Sequence, residues 1–139
     1  MTKLIIAALF TALFTAALPA FAADLTIQVD GVASDQGQVM VAVFNSADTF
    51  PSKALRAVTV PARSGKVQLR IDGLPAGEYA LAVYHDANGN GKLDRNLMGM
   101  PTEDYGFSNN ALGKRGAPSY ADARIVLPDG GATTSVNLH

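Results

Sequence analysis

The chain has 139 residues, with 11 Lys and Arg against 12 Asp and Glu, no Cys and no Trp. Without thiols there is no disulfide, no thiolate nucleophile and no zinc–thiolate site, and the near-neutral balance argues against a nucleic-acid-binding face. The 48% hydrophobic share is uneven: residues 4–23 are almost wholly apolar, while the remainder is composed like a soluble domain.

Lys3 supplies a short positive start, and residues 4–18 form an apolar run broken only by Thr11 and Thr15. Pro19 stops the helix and Ala20-Phe21-Ala22 makes a small-x-small cleavage signal. The pattern predicts a secretory leader over residues 1–22 and export to the periplasm or the cell exterior. A retained anchor is the alternative, since the 20 residues of 4–23 are just long enough to span. Pro19 and the lack of a basic stop-transfer cluster favour cleavage. No later stretch reaches spanning length, so no membrane span is expected after cleavage. Removing residues 1–22 leaves 117, a single domain over residues 23–139.

Leu25, Ile27 and Val29 alternate with polar residues, which predicts a half-buried strand ended by Gly31. Residues 38–44 follow, with Val39, Val41 and Val43 on one face and Met40, Ala42 and Phe44 on the other, as in a central strand covered on both sides. Residues 45–51 read as a loop, and residues 54–60 as a weaker strand. Val67, Leu69 and Ile71 alternate with Lys66, Gln68 and Arg70, and residues 73–77 read as a tight turn. In residues 79–85 the small Ala80 and Ala82 suggest close packing against another layer. Residues 86–118 then lose all periodicity and predict a long, ordered but irregular excursion. Leu93, Leu97, Met98, Met100, Tyr105, Phe107 and Leu112 are available to pin it to the body. Strands at residues 124–127 and 133–138 finish the chain. Six or seven short strands with no amphipathic helix predict an all-β sandwich, with a small β-barrel as the alternative.

The sharpest chemical signal is Asp86-Ala87-Asn88-Gly89-Asn90-Gly91-Lys92-Leu93-Asp94. Oxygen-bearing side chains stand at loop positions 1, 3, 5 and 9, with Gly at 6, the order of an Asp-x-Asn-x-Asn-Gly calcium loop. Calcium takes hard oxygens, and alternate residues of a tight loop can aim them at one centre. Asp86, Asn88, Asn90 and Asp94 are the expected side-chain ligands, and Lys92 contributes its carbonyl. Position 12 is Leu97 where the full pattern needs a bidentate Glu, so Glu103 or Asp104 is expected to loop back, with Asp122 more remote. With so few carboxylates, the expected affinity is weak, on the order of 10⁻⁴ to 10⁻³ M. Magnesium fits less well. The alternative is that Asn-Gly-Asn-Gly forms a turn with no ion at all.

His85 has two readings: a general base, or a strand-end histidine that donates to a backbone carbonyl and steadies the loop. No Gly-x-Ser-x-Gly or His-Glu-x-x-His motif accompanies it. Glu103-Asp104, with Asp86 or Asp94, leaves open a hydrolase acting on glycosides. Tyr105, Phe107 and Tyr120 either line a small groove or pack the excursion onto the sandwich. Lys114-Arg115 reads as a solvated turn.

The run from His85 through Asp94, continued by Asn96-Leu97-Met98-Gly99-Met100-Pro101-Thr102-Glu103-Asp104-Tyr105-Gly106-Phe107-Ser108-Asn109-Asn110, resembles the signature of a bacterial family of small exported proteins, domain of unknown function 2141. Ala117-Pro118-Ser119-Tyr120-Ala121-Asp122-Ala123 is similar to a later segment of that family. The resemblance implies an exported β-sandwich, immunoglobulin-like or like the prealbumin and carboxypeptidase-regulatory modules, and Leu74-Pro75-Ala76-Gly77-Glu78-Tyr79 is similar to a strand-entering turn of the latter two. It brings no settled activity, substrate or metal. Residues and resemblance together lead to the expectation of a non-enzymatic accessory or binding domain, stabilised by calcium. A small envelope hydrolase, or a metal-free module that meets an envelope protein or saccharide, is the alternative.

Overall fold

The computed structural model describes residues 22–139. The leader expectation therefore lies outside the described residues, apart from Ala22. Among the described residues no helix is long and apolar enough to cross a membrane.

Two sheets face one another. The first has the order β4-β1-β8, built from β1 (Ala22–Val32), β4 (Gly65–Pro75) and β8 (Ala132–Asn137). The second has the order β3-β2-β5-β6, built from β2 (Gln38–Phe44), β3 (Arg56–Pro61), β5 (Gly77–Asp86) and β6 (Tyr105–Phe107). A further short strand, β7 (Ile125–Leu127), pairs with the start of β5. Neighbouring strands are antiparallel except β1 and β8, which run parallel from Leu25↔Ala132 to Asp30↔Asn137. The molecule is a β-sandwich, and the barrel alternative falls.

Side-chain alternation of period two explains this architecture. Leu25, Ile27 and Val29 of β1 and Val67, Leu69 and Ile71 of β4 point one way. Val39, Val41 and Val43 of β2, with Tyr79, Leu81 and Val83 of β5, meet them from the other sheet in one buried cluster. Burying a side chain of this kind stabilises by roughly 1.5–3 kcal/mol, so such a core can hold a domain of this size without disulfides.

The outer face of the second sheet carries its own apolar layer. Phe44 is buried there, opposite Ala80 in the β2–β5 register, and Ala82 stands opposite Phe107. The small alanines leave room for Phe50, whose ring meets Phe44 at 5.2 Å, Phe107 at 5.9 Å and Tyr120 at 6.1 Å, all edge-on. Phe50 sits in the segment expected to be only a loop. Its replacement by Ala is expected to cost about 1–2 kcal/mol, less than for a fully buried ring, because Phe50 is only half-buried. Equilibrium urea denaturation measures it, and a loss below a few tenths would mean that the layer is ornamental.

Three expectations are corrected. The excursion over residues 86–118 is not irregular throughout, because β6 pairs Tyr105 with Tyr84 and Phe107 with Ala82, which raises the strand count among the described residues to eight. The turn expected at residues 73–77 shrinks to Ala76, since β4 keeps its pairing with β1 as far as Pro75↔Ala22. Of the apolar residues expected to pin the excursion, Tyr105 and Phe107 pack, whereas Leu97, Met98, Met100 and Leu112 stand exposed.

Two further contacts hold the excursion's far half. Tyr105 and His139 exchange both backbone hydrogen bonds, at 3.3 and 3.1 Å, which ties β6 to the chain beyond β8. Gly106 is needed there, because a Cβ on it would lie 2.3 Å from the Asn137 carbonyl oxygen. Ser108 is fully buried; its Oγ accepts the Leu81 N–H at 2.9 Å and donates to the Ala123 carbonyl. Ala123 ends the one-turn helix α1 (Tyr120–Ala123), whose N-cap Ser119 accepts the Asp122 N–H at 3.1 Å.

Candidate functional site: an oxygen-rich loop at the end of β5

Asp86 is the last residue of β5 and is fully buried. Register places it opposite Gln38 at the start of β2. Its Oδ2 accepts the Gly91 N–H at 2.7 Å and the Gln38 side-chain amide at 3.0 Å, and its Oδ1 accepts the Asn90 N–H at 3.1 Å. The Asp86 carbonyl accepts the Gly89 N–H at 3.2 Å. The chain thus wraps around one carboxylate. The wrap requires φ of +79° at Gly91, a left-handed conformation that glycine adopts without strain.

The remaining predicted residues follow around the rim. Asn88 Oδ1 accepts the Asn90 N–H at 3.2 Å, and Asn90 Oδ1 accepts the Lys92 N–H at 3.1 Å. Their side-chain amides both turn to Asp94: Asn90 donates to its Oδ1 at 2.6 Å and Asn88 to its Oδ2 at 2.5 Å. Glu103 closes the loop from the other side. Its Oε2 accepts the Ala87 N–H at 2.9 Å and its Oε1 the Asp94 N–H at 3.0 Å, clamping both ends of the loop. The Thr102 N–H donates to the Asp94 carbonyl at 2.8 Å beside it. Lys92 is exposed, and Asp122 belongs to α1 and takes no part.

His85 lies beneath the loop, 3% exposed, with Nε2 donating to the Gln36 carbonyl at 2.7 Å. Tyr105 and Phe107 lie on β6, with ring centroids 6.0 Å apart, and Phe107 and Tyr120 share the Phe50 contact on the outer face. A shallow open groove lined by Gly37, Gln38, Thr59, Val60, Pro61 and Gly89 runs next to the loop.

Electrostatics follow the geometry. The Asn90 amide first, then the Asn88 amide, hold the Asp94 carboxyl below its ordinary value of 3.8, and the Lys92 charge adds to this. Tyr84, on the adjoining outer face of β5, is pushed up by burial first and then by the carboxylates of Asp86, Glu103 and Asp94. Its hydroxyl sits 3.2 Å from the Gly91 carbonyl and 2.8 Å from the Met40 sulfur. Gln38 and Tyr84 are site residues that the local spacing did not reveal.

Because the folded value of Asp94 is depressed, its contribution is present above 3.8 and is lost as pH falls through the lower folded value. The Asn88 and Asn90 side-chain amide NMR signals are therefore expected to shift together as pH drops through that window. In Asp94→Asn the step should vanish; a step of the same size there would sever it from Asp94.

Chemically, the loop offers hard oxygens and no soft ligand. Among the described residues no three His, Asp or Glu side chains converge closely enough to hold an ion by themselves. Side-chain amide and main-chain oxygens would have to complete a shell, which is the composition calcium accepts. Each Asn Oδ1 here uses one lone pair on a backbone N–H and keeps a second.

A family described as "Uncharacterized protein conserved in bacteria (DUF2141)" matches residues 27–136. The chain belongs to this family. The matched span runs from within β1 to within β8, so DUF2141 takes in both sheets, the Asp86 loop and the whole excursion. No curated protein and no solved structure gives a match.

Proposed function

We propose that this chain is an exported, non-enzymatic accessory or binding domain whose Asp86 loop takes up calcium and is stiffened by it. The observation that carries the reading is the bracketing of Asp94 by the Asn88 and Asn90 side chains, with Glu103 clamping the same loop at Ala87 and Asp94. Residues at ligand spacing thereby face one another across a loop whose backbone is already curled around Asp86. Asp86, Asn88, Asn90, Asp94, Glu103 and the Lys92 carbonyl would supply the oxygens. Bound calcium would neutralise the facing carboxylates. Export rests on the leader pattern ending at Ala22.

The non-catalytic part of the reading is supported by how His85 is spent: its Nε2 donates to the Gln36 carbonyl inside the sandwich. A general base or acid needs a free lone pair or proton facing a substrate.

Titration calorimetry on the domain, stripped with EDTA, tests the proposal. A dissociation constant on the order of 10⁻⁴ to 10⁻³ M is expected. At about 10 mM calcium and a 1 mM constant, linkage gives roughly 1.4 kcal/mol of added stability, or about 3–6 °C in melting temperature for a chain of this size. Asp94→Asn should lose most of the shift, and magnesium at the same concentration should give less. The absence of both heat and a melting shift in the unaltered chain would end the calcium reading.

A further inference from the structure

Beyond the oxygen-rich loop the excursion turns over at residues 95–101. Arg95 and Pro101 form an isolated antiparallel bridge, and the Asn96 N–H donates to the Met100 carbonyl at 2.9 Å. The Asn96 carbonyl accepts the Gly99 N–H at 2.9 Å, while its Oδ1 accepts the N–H groups of Met98 and Met100 at 2.9 and 3.1 Å. Arg95 Nη1 donates to the Gly99 carbonyl at 3.0 Å. The turn is therefore braced from within. Yet Leu97, Met98 and Met100 are 107%, 87% and 60% exposed. Single exposed apolar residues are ordinary on a protein surface. Three within four positions, on a turn braced by Asn96, are a cluster with a direction.

We propose that this turn is a membrane-docking tip that places Leu97, Met98 and Met100 in the interface of a bilayer containing anionic lipid. The proposal does not depend on calcium. Three observations select a lipid surface over a protein partner. First, the N–H groups of Met98, Gly99 and Met100 already have acceptors on Asn96. An apolar lipid layer supplies no acceptors, so donors already paired within the turn lower the cost of entering it; a protein partner imposes no such demand. Second, the apolar groups project from a turn, and a fluid interface admits a projecting point where a protein surface would need a matching pocket. Third, the charges are ordered along the excursion. Asp94, Glu103 and Asp104 lie toward its base, the first two engaged by amides and backbone N–H groups, whereas Arg95 stands exposed at the neck of the turn. A cation at the depth of anionic headgroups, with apolar side chains beyond it, complements such a surface. Three side chains make a weak, reversible contact, comparable at most to that of one acyl chain.

The chain has no Trp, so Met98→Trp installs a reporter at the apex alone. In EDTA, with millimolar vesicles of phosphatidylethanolamine and phosphatidylglycerol, its emission is expected to shift to the blue and to be quenched by brominated lipid. Vesicles of phosphatidylcholine alone should bind less. In flotation of the full domain, a triple Leu97→Ser, Met98→Ser, Met100→Ser variant should bind at least tenfold more weakly than the unaltered chain at an unchanged melting temperature. Arg95→Gln should lose about fivefold, the worth of one cation near such a surface. No blue shift with either vesicle, or equal flotation of the unaltered chain and the triple variant, overturns the proposal. So does a photo-crosslinker at position 98 that captures protein and no lipid from envelopes.

Discussion

Asp86→Ala is expected to lower stability by roughly 2–4 kcal/mol, since hydrogen bonds to a charged acceptor are worth about 1.5–3 kcal/mol each and do not add fully. The buried carboxylate holds three donors, the Gln38 side chain and the N–H groups of Asn90 and Gly91. Ala leaves all three without that acceptor. Asp86→Asn is nearly the same shape, yet it should recover only part of the loss. One arm of the Asn becomes a donor. If that arm replaces Oδ1 it meets the Asn90 N–H, and if it replaces Oδ2 it meets the Gly91 N–H. Gln38 can turn over to offer its oxygen, but a backbone N–H cannot. Urea denaturation of both variants measures the loss, and hydrogen exchange at Asn90 and Gly91 locates it. A cost below about 1 kcal/mol for Ala would show that the loop curls without Asp86, because buried unsatisfied groups cost at least that much.

Ser108→Ala is the second large effect, expected at roughly 2–4 kcal/mol for a change of one oxygen atom, since two buried backbone groups lose their partner at about 1–3 kcal/mol each. Leu81 lies on β5 between Tyr79, which pairs with β7, and Ala82, which pairs with β6. Its N–H therefore falls in a gap between two short strands. The Ser108 hydroxyl fills the gap and donates its own hydrogen bond to the Ala123 carbonyl at the end of α1. A side chain thus substitutes for a missing stretch of ladder. The Leu81 amide should exchange at a markedly faster rate in the variant, with β1 and β4 amides following only the global loss. Unchanged Leu81 protection would mean that another acceptor moves in.

What the sequence displayed and what it hid divide along a physical line. β1, β2, β4 and β5 are long enough for alternation to be seen, because each buries every second residue against the other sheet. β6 is three residues in a polar, glycine-rich stretch and exists because β5 offers it an edge, which no local pattern encodes. Phe50 reads as part of a loop for the same reason: beside the nearby Phe44, its partners Phe107 and Tyr120 come from two distant segments. The spacing from Asp86 to Asp94 was visible because that constellation is local, whereas Gln38 reaches Asp86 only through the β2–β5 register. The apolar residues of the excursion misled most. Hydrophobicity without periodicity says that a side chain avoids water, but not whether the protein itself provides the shelter.

The antiparallel register of β1 against β4, which pairs Ala22 with Pro75, fixes a polarity. Ala22 opens β1 at the end of the sandwich where β5 begins, and the ten residues of Gly77–Asp86 separate that end from the carboxylate-bearing one. At about 3.3 Å per strand residue the two lie roughly 30 Å apart. A sensor chip or bead coupled through a tag fused ahead of Ala22 would therefore present the loop around Asp86 and the Leu97–Met100 apex to the bulk phase, clear of the support. Coupling through surface lysines, which include Lys92, would obstruct both.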